Sequence, residues 1–167
     1  MNLWQERTIL MFGEEAVNKL SQSNVLVVGV GGVGAYAAEM LVRAGVGHLT
    51  LVDGDVVSDT NRNRQLIALK STVGRPKVEV LAERLSDINP DVKLRLIREY
   101  LRDERTIEVL ESEPYDYVID AIDTLAPKVY LLHQAVERNI PIASSMGSGG
   151  KLDPTQVKID DISKSDY

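Results

Sequence analysis

The sequence contains no cysteine and only two histidines. The missing thiols exclude disulfide bonds, thiolate metal sites and a cysteine nucleophile within this chain. The two histidines, His48 and His133, are not spaced like a metal site or a catalytic triad, so we assign them core or surface roles. A chain without cysteine also fits a cytoplasmic location, where disulfides are rare.

Long apolar runs and a targeting segment are missing as well. No apolar stretch approaches the roughly 18 residues that a membrane span needs, so we expect no membrane partner. The N-terminus lacks a basic region followed by an apolar core and is not a signal peptide. The net charge of −6 argues against nucleic-acid binding by bulk electrostatics. The 167 residues are enough for one domain with a hydrophobic core.

Short apolar runs alternate with helical patterns along the chain. We predict strands over residues 24–29, 48–53, 92–97, 117–121, 140–145 and 156–160, and helices over 33–44, 76–89, 103–112 and 124–138. This alternation predicts an α/β, Rossmann-like fold, a mostly parallel sheet with helices on both faces. Residues 1–23 are expected to form a short helical N-terminal arm, and residues 24–167 the nucleotide-binding domain. The polar ending leads us to expect further chain after Tyr167.

A glycine cluster follows the first predicted strand in the stretch VLVVGVGGVG. Gly29, Gly31, Gly32 and Gly34 stand between a strand and a helix, where glycine permits a tight turn and the helix N-terminus accepts phosphate. Asp53 ends the second strand, where a carboxylate reaches ribose hydroxyls. Asp55 is either a turn residue or a partner of another site residue. These features predict a nucleotide site and leave NAD and ATP open.

A basic window follows this acid. Residues 61–78 include five basic residues and no acid, namely Arg62, Arg64, Lys70, Arg75 and Lys77. Such a window lies against an anion or forms a solvated loop. Within it, Asn61, Arg64 and Gln65 are suited to phosphates, because a guanidinium group binds phosphate bidentately and stays charged. The phosphates of NAD are neutralised mostly by backbone amides, so the window favours ATP.

Two further candidates lie at helix starts. Lys77 begins a predicted helix, where a cation opposes the helix dipole, so a nearby anion is expected. The alternative is a surface lysine that extends its head into water. Asp123, in the block DAIDT, follows the fourth strand and either holds Mg²⁺ or caps the helix that begins at Thr124. Asp120 is expected to be structural.

Four blocks in order, GVGGVG, LVDGDVVSDTNRNRQ, VGRPKVE and DAIDT, resemble the adenylating enzymes related to ubiquitin activation. This family includes activators of the sulfur carriers for thiamine and molybdopterin. The resemblance covers nearly the whole chain and implies a carboxylate substrate, ATP, Mg²⁺ and an acyl-adenylate intermediate; a monovalent cation is a further candidate. It implies that Gly32 contacts the nucleotide and Asp53 its ribose, that Asn61, Arg64 and Lys77 bind the phosphates, and that Asp123 binds the metal. Together with the residues singled out above, the predicted cofactor contacts are Gly29, Gly31, Gly32, Gly34, Asp53, Asp55, Asn61, Arg64, Gln65, Lys77, Asp123 and Thr124.

The resemblance also implies catalytic roles for Arg7, Arg64, Lys77 and Asp123. Arg7 lies in QERTILMFG and matches an arginine that in such enzymes reaches the ATP site of the partner subunit. A homodimer with shared active sites is therefore expected. The alternative is a surface arginine on the first helix.

The blocks MGSGGKLDPT, over residues 146–155, and DTNRNRQ resemble the tRNA threonylcarbamoyladenosine dehydratase branch. Such enzymes adenylate the threonyl carboxylate of a modified adenosine in tRNA, and the carbamoyl group then displaces AMP and closes a ring. No thiol is needed for this reaction. Family members are longer than this chain, and the additional part is expected to contact tRNA. The alternatives are an activator of a carrier protein ending in Gly-Gly, an NAD oxidoreductase and a nucleotide-sensing module.

Overall fold

The fold is built on a five-stranded parallel sheet with the strand order β3-β2-β1-β4-β5, in a computed structural model that describes residues 3–147 and 152–164. The strands are β1 Asn24–Val28, β2 His48–Val52, β3 Lys93–Ile97, β4 Tyr117–Asp120 and β5 Ile142–Ser144. The helices are α1 Glu6–Phe12, α2 Glu14–Gln22, α3 Gly34–Ala44, α4 Lys77–Ile88, α5 Asp103–Glu111 and α6 Leu125–Glu137.

The strand order changes direction at β1, which pairs with β2 on one side and with β4 on the other. Val28 lies opposite Val52 of β2 and opposite Asp120 of β4, so these three strands end at the same level. In parallel sheets of this kind, ligands bind beyond the carboxyl ends of the strands, at the point where the order reverses. The crevice between β1 and β4 is therefore where a nucleotide is expected.

Helices cover both faces of the sheet, as predicted. The side chains of β1 alternate between two cores: Val25 and Val27 pack with α3 and α4, and Leu26 and Val28 pack with α5 and α6. Because successive residues of a strand point to opposite faces, a strand between two helical layers must be apolar throughout. This requirement explains the uninterrupted apolar run of β1.

The N-terminal arm is helical, which confirms that prediction for its described residues. A 3-10 turn over Leu3–Gln5 leads into α1, and α2 then brings the chain to β1. The arm attaches at the amino ends of the strands, where the Gly47 amide donates to Leu20 O at 3.2 Å. A Cβ on Gly47 would lie 1.9 Å from Ser21 O, so only glycine permits this contact. No helix in the described part of the chain combines the length and apolar character that a membrane crossing demands.

The predicted strand over 156–160 is wrong. The chain there forms a 3-10 turn over Pro154–Gln156 and then has no regular structure. The Asp153 carboxylate accepts a hydrogen bond from the Thr155 amide at 2.9 Å, which favours the turn. The alternating residues Val157 and Ile159 are exposed, because no described strand or core lies beside them. Alternation alone does not make a strand without a neighbour that supplies the ladder of hydrogen bonds.

Candidate nucleotide-binding site

The glycine loop after β1 contains two kinds of glycine. Gly29 has a φ of +86°, and a Cβ on it would lie 2.7 Å from Ala121 O in the loop after β4. A Cβ on Gly34 would lie 1.8 Å from Gly29 O, so both positions require glycine for the turn itself. Gly31 and Gly32 are not required by the turn, because a Cβ on either would make only ordinary van der Waals contact with a polar side chain. A Cβ there would meet Gln65 Nε2 at 3.4 Å and Arg64 Cγ at 3.8 Å, respectively.

Asp53 fixes this loop from the end of β2. Its Oδ2 accepts a hydrogen bond from the Val30 amide at 2.8 Å, and its Oδ1 accepts one from the Asp55 amide at 2.8 Å. One carboxylate therefore holds two loops together. The predicted ribose contact of Asp53 remains a prediction.

The segment that carries Asn61, Arg64 and Gln65 begins with a 3-10 turn over Asp59–Asn61 and lies beside the glycine loop. Asn61 Oδ1 accepts a hydrogen bond from the Ser58 amide at 3.0 Å, and Asn61 O accepts one from the Gln65 amide at 2.9 Å. Asn61 thus organises the turn, which brings Arg64 and Gln65 to Gly31 and Gly32. The sequence prediction that these residues act together is consistent with their placement.

Arg64 differs from the other arginines of the basic window. Its guanidinium group donates to two neutral oxygens, Thr60 O and Asn63 Oδ1, each at 3.1 Å. Within residues 3–147 and 152–164, no carboxylate pairs with Arg64, whereas Arg62 and Arg75 pair with Asp59 and Glu83. The Arg64 cation is exposed and available to an anionic ligand.

Gln65 presents a buried polar atom that lacks a partner. Its side chain is 8% exposed, and its Oε1 has no hydrogen bond to any described residue. A buried polar group left unsatisfied costs about 1–3 kcal/mol. Rotation of the amide exchanges its oxygen with its two N–H donors, and both orientations lie against Gly31. A ligand in the glycine loop would meet this amide, which fits the nucleotide prediction.

Lys77 is buried, with 6% of its side chain exposed, so the alternative of a surface lysine is wrong. Its Nζ donates to Asp55 Oδ2 at 2.6 Å. The anion expected near this helix start is therefore supplied within the protein by Asp55, and Glu83 supplies the one beside Arg75. Burial raises the pKa of Asp55, but hydrogen bonds from Lys77 and Tyr100 outweigh it and hold that pKa below its ordinary value.

Asp123 and Thr124 lie exposed in the loop between β4 and α6. The helix begins at Leu125 with Thr124 at its N-cap, and no side chain caps it, so the capping alternative for Asp123 is not observed. Among the described residues, no group of three or more acidic or histidine side chains could hold a metal alone. A single carboxylate fits Mg²⁺ that is carried in by phosphates, since Mg²⁺ binds through one or two carboxylates, waters and substrate phosphates.

A buried network supports the loop of Asp123. Asp120 is fully buried, its Oδ1 accepts from the Ile122 amide at 3.0 Å, and its Oδ2 accepts from Lys128 Nζ at 2.5 Å. Lys128 also donates to Ser145 O at 2.9 Å and to Ser144 Oγ at 3.2 Å, which links the loops after β4 and β5. Asp120 is structural, as predicted.

Sequence reasoning missed Lys128 and Tyr100. A signal existed for Lys128, because it shares a helical face with the buried residues Leu131 and Ala135. No local pattern marks Tyr100, whose contact with Asp55 joins distant segments. Of the predicted loop in 146–155, residues 148–151 lie outside the described residues.

Arg7 is not brought together with the other site residues within this chain. It lies on α1, two residues after Gln5, whose side chain lies against Gly45 at the end of α3 and just before β2. These residues lie at the amino ends of the strands, opposite the glycine loop at the carboxyl ends. The expectation that Arg7 acts in a partner subunit remains a prediction.

Three comparisons place this geometry among known proteins. Residues 5–164 match the model of the ThiF family. The chain is 48% identical over 159 residues to tRNA threonylcarbamoyladenosine dehydratase of Bacillus subtilis, covering 95% of this chain and 62% of that protein. It is 40% identical over 165 residues to the dehydratase of that name from Escherichia coli, covering 97% of this chain and 61% of the relative.

A solved structure agrees with these sequence matches. The crystal structure of E. coli tRNA N6-threonylcarbamoyladenosine dehydratase, TcdA, in complex with ATP superposes with a TM-score of 0.94. The two share 39% identity, and the match covers 99% of this chain and 69% of that one. The chain thus has the fold of that structure and spans about three fifths of the length of the two sequence relatives.

Proposed function

Because this chain belongs to the ThiF family, we propose that it uses ATP to adenylate a carboxylate. The substrate we propose is the threonyl carboxylate of threonylcarbamoyladenosine in tRNA, since both relatives described above are dehydratases named for this nucleoside. With this substrate we also propose a cytoplasmic location.

The proposed reaction has two steps. The threonyl carboxylate attacks the α-phosphorus of ATP, the bond to the β-phosphate oxygen breaks, and pyrophosphate leaves. The carbamoyl oxygen or nitrogen then attacks the activated acyl carbon, a carbamoyl N–H gives up its proton, and AMP is displaced as the ring closes. The carboxylate oxygen that is lost departs on AMP, so the nucleoside loses the elements of one water.

The observation that carries this proposal is the contact between the glycine loop and the turn of Arg64 and Gln65. Gly31 and Gly32 leave space beside a cation without a described carboxylate partner and a buried amide with an unsatisfied oxygen. Phosphate fits this arrangement, because the charge on departing pyrophosphate grows and a fixed guanidinium group stabilises it. Gly29, Gly34 and Asp53 hold the loop in shape.

Lys77 and Asp123 complete the proposed phosphate site from two other loops. Lys77 supplies a buried cation at the start of α4, and Asp123 supplies an exposed carboxylate after β4. Asp123 would hold Mg²⁺, which when bound neutralises phosphate charge. Asn61 positions Arg64 and Gln65, and Thr124 lies beside Asp123 in the same loop. We propose no site for a monovalent cation.

We also propose that the protein is a homodimer in which Arg7 reaches the ATP site of the partner. The arm that carries Arg7 exposes large apolar side chains, which a partner subunit would cover: Leu3, Leu10, Met11 and Phe12. Exposed apolar patches of this kind mark interaction surfaces in soluble proteins.

The decisive experiment supplies the intact protein with ATP, Mg²⁺ and tRNA that carries threonylcarbamoyladenosine. We expect AMP and pyrophosphate, and a modified nucleoside lighter by one water on mass spectrometry. The same tRNA without the threonylcarbamoyl group is the control and should yield neither product. If pyrophosphate forms only with a carrier protein ending in Gly-Gly, the dehydratase proposal is wrong.

A further inference from the structure

Three side chains from three segments form a chain of contacts beside the glycine loop. Lys77, at the start of α4, donates through Nζ to Asp55 Oδ2 at 2.6 Å. Tyr100, in the loop after β3, donates through its hydroxyl to the other oxygen of the same carboxylate, Oδ1. The Asp55 amide is in turn bound to Asp53, so the chain is anchored to the loop that Asp53 holds.

The two partners of Asp55 differ in exposure. The Lys77 side chain is buried, whereas 59% of Tyr100 is exposed. A lysine ammonium group has three N–H donors. Among the described residues, Asp55 is the one hydrogen-bond partner of Lys77 Nζ, so two donors are left for a ligand.

Gly54 permits this arrangement. A Cβ on Gly54 would lie 2.8 Å from two carbons of the Tyr100 ring, so the ring packs directly on the backbone between Asp53 and Asp55. This contact sets how far the Tyr100 ring lies from the backbone of Gly54. It directs the hydroxyl to Oδ1 and leaves Oδ2 to Lys77.

We propose that Tyr100 is a positioning residue that acts through Asp55 on Lys77. This inference rests on the proposed function, in which Lys77 binds the phosphates of ATP. Because Tyr100 occupies Oδ1, Asp55 binds Lys77 through one oxygen and takes only one of its three N–H donors. Without the hydroxyl, Oδ1 would take a second donor from Lys77, and that donor would no longer reach phosphate.

The test measures the dissociation constants of ATP, ADP, AMP and adenosine with the intact protein and its Tyr100→Phe variant. The variant keeps the ring on Gly54 and removes only the hydroxyl. We expect the variant to bind ATP about twofold to tenfold more weakly, which corresponds to the loss of one hydrogen bond. Its dissociation constant for adenosine should not change. Tyr117→Phe, at the amino end of β4 and so at the opposite end of the strands, is the matched control and should leave all four constants unchanged.

A second pair of variants tests the carboxylate. Asp55→Asn removes the charge that pairs with Lys77 and should weaken ATP binding more than Tyr100→Phe does. Asp55→Glu keeps the charge and should recover part of the lost ATP affinity. If Tyr100→Phe weakens the binding of ATP and of adenosine equally, or the binding of neither, then Tyr100 does not act through Lys77 and the inference is overturned. If wild-type protein binds ATP no more tightly than adenosine, the proposed phosphate contacts fail, which is a separate result.

Discussion

Single residues in the glycine loop serve two different purposes. Gly29 and Gly34 are required by close backbone contacts, and Gly31 and Gly32 border the Arg64 and Gln65 side chains. A substitution of the first kind acts on folding, and one of the second kind acts on the ligand. The G-x-G-x-x-G pattern alone does not separate these two roles.

A Gly34→Ala substitution tests the first purpose. The new Cβ would lie 1.8 Å from Gly29 O, and the backbone must shift to relieve the overlap. We expect the free energy of unfolding, measured by denaturant titration, to fall by about 3 kcal/mol, the range of overpacking in a tight site. Gly147→Ala is the control, because a Cβ there meets no atom of a described residue within 4 Å. Equal effects at both positions would contradict this account of the loop.

Arg64→Ala tests the proposed phosphate contact. Loss of a fixed charge at the departing pyrophosphate should lower kcat for pyrophosphate release by about 100-fold or more. The neighbouring Arg62→Ala is a matched control, because Arg62 already pairs with Asp59. Wild-type turnover in the Arg64→Ala variant would show that Arg64 is a surface cation without a role at the phosphates.

At the scale of elements, helices α3 and α4 are joined by one buried carboxylate. Glu39 of α3 accepts from Arg43 Nε at 2.8 Å and from Arg84 Nε of α4 at 2.6 Å. The hydrogen bond from Arg84 lowers the pKa of Glu39, burial raises it, and Arg43 lowers it further; the net result lies below the ordinary value.

This shift gives a pH dependence with a definite sign. Because the folded pKa of Glu39 is lowered, its contribution is complete above the ordinary glutamate pKa and is lost as pH falls through the folded value. We expect Glu39→Gln to unfold more easily by about 1 kcal/mol at neutral pH. The difference from wild type should shrink as pH falls from about 5 toward about 3. The exposed Glu137→Gln should show no such trend in the same denaturant titrations.

The network of Lys128, Asp120 and Ser144 joins α6 to β4 and β5. Lys128→Met removes the cation and leaves the fully buried Asp120 without its charged partner. Breaking a buried ion pair in this way costs about 3–5 kcal/mol, and we expect a loss of that size in the free energy of unfolding. Lys19→Met, on the exposed side of α2, is the control. A loss below about 1 kcal/mol, the range of exposed pairs, would show that the network is not structural.

At the scale of the whole molecule, the proposed homodimer makes a prediction about mixed variants. If Arg7 serves the partner's site, Arg7→Ala and Arg64→Ala proteins are each inactive alone. A mixed dimer contains one site with both arginines intact. Random exchange of subunits should therefore restore about a quarter of wild-type turnover, because half of the dimers regain one of two sites. Mixtures that stay inactive, although mass spectrometry shows mixed dimers, would refute the shared site.

Sequence patterns predicted the architecture well, because local features carry it. The apolar run of β1, the glycine turn and the amphipathic helices each indicate their own structure within a short window. The prediction of a strand over 156–160 was wrong because a strand also depends on hydrogen bonds to a neighbouring strand that is distant in the sequence. Tyr100 was missed, and the partner of Lys77 was not identified, because their contacts with Asp55 join segments that only the folded sheet brings together.

The two hydrogen bonds that the Asp53 carboxylate accepts affect the entropy of ligand binding. One carboxylate immobilises the backbone at Val30 and at Asp55, so two loops become ordered together when the chain folds. Fixing a residue's backbone costs about 1–2 kcal/mol in conformational entropy, and here that cost falls on folding. A ligand thus meets a preorganised surface, and its affinity is not reduced by ordering these loops.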